Sequence, residues 1–124
     1  MVQEVMFDGS GSQLKVEIRC GHAQAGAYVL TLWNRNDVHQ RWEGTFFNPD
    51  DDTYKLPGRA ATHDGRLLQC LFSVEIIPPV QKFALMMTIW QGTQKLGVVT
   101  DSGETDASQV TKNLFAQLVA REDA

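Results

Sequence analysis

The sequence predicts a mainly β chain: an antiparallel two-sheet β-sandwich of about seven or eight strands, followed by one C-terminal amphipathic α-helix. Three features carry that expectation. Turn-forming residues recur between short apolar or alternating segments, and no long helical pattern interrupts them. The stretch Lys82–Asp101 is apolar on both faces of its first strand, with Phe83, Leu85, Met87 and Ile89 on one side and Ala84, Met86, Thr88 and Trp90 on the other. Such a strand needs cover on both sides. After Asp106 the period changes, and Val110, Leu114, Phe115, Leu118 and Val119 fall on one side of a helix over 107–121. Asp106 with Gln109 three residues on fits a capping box at its start.

The elements follow in order. Val2 to Phe7 reads as a short strand, ended by Asp8-Gly-Ser-Gly-Ser12, whose glycines permit a turn. Leu14, Val16, Ile18 and Cys20 alternate with Lys15, Glu17 and Arg19, a strand with one wet face. Ala27 to Trp33 is apolar nearly throughout and reads as a central strand. Asn34 to Asp37 is a turn into an alternating strand, Val38 to Phe47, that forms a hairpin with it. Asn48 to Asp52 is an acidic loop, Tyr54 to Leu56 a brief edge strand, and Asp64-Gly65 a hairpin turn into a strand that buries Leu68, Cys70, Phe72, Val74 and Ile76. Pro78-Pro79 ends that strand, because proline cannot donate to a sheet ladder. Residues 1–124 are expected to form one domain.

Composition limits the function classes. The net charge is −4, and the eleven Lys and Arg are scattered along the chain, which argues against nucleic acid and against an acidic partner surface. No apolar segment is long enough to span a membrane, and Met1 to Asp8 is not a secretory signal, so a soluble cytoplasmic protein is expected. No cofactor motif is present: the Gly-Ser-Gly-Ser stretch lacks the Gly-Lys pair of a phosphate loop, and Ser102 stands outside a Gly-x-Ser-x-Gly elbow.

The spacing of Cys20, Trp33 and Cys70 resembles the cysteine–tryptophan–cysteine pattern of immunoglobulin domains, which implies an inter-sheet disulfide over a buried tryptophan. The resemblance covers those three residues and departs at Leu68, where that family has tyrosine. Inward-facing free thiols are the alternative reading. Cys20, His22, His63 and Cys70 are the residue types of a zinc site, although Cys70 sits among core residues. Asp50, Asp51 and Asp52, with Asp8, Asp101 or Glu104, offer hard oxygen ligands for Ca²⁺. A solvated acidic loop is the competing account.

For binding, Arg41, Glu43, Phe47 and Tyr54 form the candidate surface, because aromatic and Arg side chains are enriched where proteins meet. The sequence therefore favours a non-enzymatic binding or assembly module with a protein partner. A small hydrolase or a Ca- or Zn-dependent enzyme with its site in the loops is the alternative. Self-association into a homodimer is also expected, since one helix covers only part of the second face of the Lys82–Asp101 strand.

Overall fold

The computed structural model describes residues 2–21, 25–45, 52–76 and 82–121. Among these run nine strands: β1 (Gln3–Asp8), β2 (Leu14–Cys20), β3 (Ala25–Asn34), β4 (Asp37–Thr45), β5 (Asp52–Lys55), β6 (Leu67–Glu75), β7 (Lys82–Gln91), β8 (Gln94–Glu104) and β9 (Gln109–Arg121). They form a five-stranded sheet in the order β1-β9-β6-β3-β4 and a four-stranded sheet in the order β5-β2-β7-β8. One turn of 3₁₀ helix, Ala60–His63, lies between β5 and β6. No helix among the described residues is long and apolar enough to cross a membrane.

The C-terminal helix expected over 107–121 is overturned, because that segment is β9. It runs antiparallel to β6, from Gln109 opposite Glu75 to Gln117 opposite Leu67. It also runs parallel to β1, from Gln3 opposite Ala116 to Asp8 opposite Arg121. The misreading has a physical cause. Val110, Leu114 and Leu118 recur at a spacing of four, which suits a helical stripe and one face of a strand equally well. Ala116, fully buried between Leu114 and Leu118, completes the strand face. Phe115 and Val119, which the helical stripe included, lie on the opposite face and are only half-buried. Asp106 starts no helix; the Thr105 hydroxyl instead accepts from the Ala107 N–H at 3.1 Å in the turn before β9. The parallel β1–β9 pair also means that the sheets are not wholly antiparallel.

Alternation builds the interior. The inner faces of β2 (Leu14, Val16, Ile18), β7 (Phe83, Leu85, Met87, Ile89), β6 (Leu68, Cys70, Phe72, Val74) and β3 (Tyr28, Leu30, Leu32) meet in one hydrophobic core. Each such large side chain contributes about 1.5–3 kcal/mol on burial. The β3–β4 hairpin forms as the sequence suggests, with a bulge. Leu32 lies opposite Gln40 but Trp33 opposite Val38, so His39 is an extra residue and Val38 moves to the outer face. There it is 43% exposed. Trp42 stays inward and half-buried against the core, while Arg41 and Glu43 point to solvent.

The two long sides of the molecule differ. On one, β8 lies against β1 and β9 of the other sheet. The approach there is close: a Cβ at Gly97 would stand 3.2 Å from Val5 Cγ2. On the other side, β4 and β5 are the edge strands of their respective sheets.

Candidate functional site

The second face of β7 was expected to be covered by the terminal helix or by a second subunit. Within the chain, its cover comes from the long side chains of neighbouring strands. Trp90 lies opposite Lys15 of β2 and Lys95 of β8, and Lys15 in turn lies opposite Lys55 of β5. A bulge sets this arrangement. Ile89 pairs with Gly97 and Trp90 with Lys95, so Leu96 is the extra residue and the lysine is brought level with the indole. Lys15 Nζ stands 5.9 Å and Lys95 Nζ 5.4 Å from the Trp90 ring centroid, both within cation–π range. Both ammonium groups stand over the ring, that of Lys95 on an exposed residue and that of Lys15 on a half-buried one.

The resulting row, Lys55–Lys15–Trp90–Lys95, crosses all four strands of the sheet, a span of about 14 Å at the usual strand spacing. Beside it is an open groove of about 330 Å³ lined by Lys15, Glu17, Thr53, Trp90, Gly92 and Thr93. Gly92, with φ of 59°, makes the tight β7–β8 turn that forms one lip. Arg19 lies further along the same face, opposite Met86. Five of the eleven cations, Lys15, Arg19, Lys55, Lys82 and Lys95, thus gather on one face of a chain with net charge −4, together with two carboxylates, Glu17 and Glu104, the latter 3.7 Å from Lys82. The register of four strands does this, so scatter along the sequence is not scatter in space. Sequence reasoning placed Lys15 on a wet face and Trp90 on the second face of its strand. It had no signal that the two are neighbours.

The residues singled out from sequence do not form one site. Arg41 and Glu43 lie on the outer face of the five-stranded sheet, where Arg41 borders a shallow groove with Val29, Thr31, Trp33, Gln69 and Leu71. Tyr54 belongs to the other sheet and points between the layers, its ring 5.7 Å from that of Trp42 and 6.2 Å from that of Tyr28. Phe47, Asp50, Asp51 and His22 lie outside the described residues. Asp52, the remaining member of the acidic run, accepts a hydrogen bond from the Tyr28 hydroxyl, which also meets the Tyr54 hydroxyl. Because the single Tyr28 proton goes to Asp52, Tyr54 is the donor to the Tyr28 oxygen. Burial raises the pKa of both phenols, Tyr28 further by its bond to Asp52, so both stay protonated at neutral pH.

Asp8 lies near the Leu14 end of β2, far from Asp52 beside Ile18. No group of three His, Cys, Asp or Glu suited to a metal occurs among the described residues. Cys20 and Cys70 are free thiols, so the disulfide implied by the immunoglobulin-like spacing is not made. Trp33 does not lie over them; it is on the outer face, donating to Gln69 Oε1 at 2.8 Å. Burial pushes Cys20 up to about 11 and raises Cys70 further, which keeps both sulfurs as unreactive thiols. The Gly-Ser-Gly-Ser loop is held by the buried Gln91 amide. Gln91 Oε1 accepts from the Asp8 N–H at 3.0 Å, and its Nε2 donates to the carbonyls of Asp8 at 2.7 Å and Ser12 at 2.9 Å.

Comparison with protein-family models, with curated proteins and with solved structures finds no match.

Proposed function

We propose that the chain is a non-enzymatic binding module whose ligand surface is the outer face of the four-stranded sheet, and that it takes an extended acidic segment of a partner protein. The observation that supports this reading is the row of three lysines about Trp90. Carboxylates of the partner pair with the ammonium groups that stand over the indole, and the apolar part of the partner lies on the half-buried Trp90 ring. Tryptophan supplies large contact area at low entropic cost, which is why it dominates many interfaces. Lysines on the rim steer an acidic partner and make its capture sensitive to salt.

The reading is tested by titrating the protein with a short labelled peptide of alternating Glu and Leu, against a Gln-and-Leu control. Saturable binding of the acidic peptide alone is expected, at least about tenfold weaker in Trp90→Ala and in the Lys15→Gln/Lys95→Gln double variant. Binding that ignores both variants, or is equally strong for the Gln peptide, would overturn it.

A further inference from the structure

We propose that two copies of this chain join through β4, edge to edge and antiparallel about a two-fold axis at Trp42, to make one continuous ten-stranded sheet. The inference is independent of the Trp90 surface, which lies on the other sheet. β4 ends the order of the five-stranded sheet, so among the described residues no strand pairs with the outer flank of its backbone. The other edges are less suited to this. β1 and β8 lie against one another across the two sheets, β8 is also bulged, and β5 has only four residues. Past its own bulge at His39, β4 runs regularly from Gln40 to Thr45 with no proline.

The register follows from charge. In a two-fold antiparallel pair each residue sits opposite one on the same face, so the axis must pass through a residue position, and a one-residue slip would oppose inward to outward side chains. An axis at Arg41 sets Arg41 against its own copy, and an axis at Glu43 does the same for Glu43. Like charges directly opposite are destabilising. An axis at Trp42 instead sets Arg41 against Glu43 of the second copy and Glu43 against its Arg41, two opposite-charge pairs on the outer face. On the inner face the two Trp42 rings become cross-strand neighbours, each already resting on its own Tyr54. Gln40 faces Gly44, so the smallest residue of the strand lies opposite a long side chain. The side chains of this edge are thus complementary to themselves in the Trp42 register.

Sedimentation of the full chain and three variants tests the proposal, with circular dichroism as the check that each exposed substitution leaves the fold intact. The wild type is expected to sediment as a dimer. Glu43→Arg opposes Arg to Arg twice and should weaken the dimer at least about tenfold, and Arg41→Glu should do the same with the opposite sign. The double variant Arg41→Glu/Glu43→Arg exchanges the charges and should restore the dimer. A wild type that is monomeric at high concentration overturns the proposal. So does a dimer indifferent to the single variants, or a folded double variant that remains monomeric.

Discussion

Trp33 and Trp90 are the same residue in matching positions, each outward-facing, half-buried and one residue from the end of a strand that lies next to the edge of its own sheet, yet their surroundings differ in kind. Trp33 is tied into its own layer: its indole N–H donates to Gln69, and Gln69 Nε2 donates to Asn113 Oδ1 at 3.0 Å, a chain of amides across β3, β6 and β9. The polar handle of the indole is satisfied within the sheet. Trp90 is flanked by two cations whose ammonium groups stand over its ring. A half-buried tryptophan is therefore no guide by itself; what its cross-strand neighbours leave unfinished separates the structural ring of Trp33 from the proposed ligand platform at Trp90.

Both faces rest on one interior. Leu30→Ala beneath the five-stranded face and Met87→Ala beneath the four-stranded face should each cost about 2–5 kcal/mol in urea denaturation. Both residues are fully buried in the shared core. A loss confined to one of them would mean the layers are stabilised separately.

Smaller and more discriminating is the removal of each indole N–H. Trp33→Phe should cost about 1 kcal/mol, because Gln69 loses its donor inside the sheet. Trp90→Phe should cost about half that or less. Equal losses would erase the distinction drawn between the two rings.

A further effect belongs to neither face. His63 is fully buried, with Nδ1 3.2 Å from the Arg66 guanidinium. Burial lowers its pKa below 6.5, and Arg66 lowers it further. Below that value the unfolded chain takes up a proton that the folded chain refuses, so stability is present above about pH 6.5 and is lost as pH falls towards the folded pKa. Thermal melts at about pH 7.5 and 5.5 should show a smaller acid-induced drop in His63→Gln than in the wild type. Identical drops would remove His63 from the account.

The smallest change is expected at the lysines themselves. Lys15→Gln and Lys95→Gln should each shift stability by only about half a kcal/mol, the worth of an exposed cation–π contact. A loss of several kcal/mol would assign these lysines to holding the fold instead of a ligand.

The residues that were legible in sequence are those whose partners are local or whose alternation is uninterrupted. Leu14, Val16 and Ile18, or Leu68, Cys70, Phe72 and Val74, need only period two, and all are buried. The β3–β4 and β7–β8 hairpins were legible because their turns carry Asn, Asp or Gly. β9 was not, since Lys112 breaks its inner alternation just where the spacing of Val110 and Leu114 imitates a helix. The Trp90 row was invisible for a different reason. Its members come from four strands, and a single bulged residue decides whether Leu96 or Lys95 stands beside the ring.

The parallel pairing of β1 with β9 joins the first and last strands of the described fold. Gln3 meets Ala116, and among the described strands β1 pairs only with β9, which pairs in turn with β6. On a ribosome, the earliest strand to emerge therefore waits for nearly the whole domain to be made. Closing so long a loop is entropically costly before any contact repays it, and such non-local β topologies fold in about milliseconds to seconds. Until then β1, with Val5 and Phe7 that are destined for the core, stays open to other chains or to chaperones.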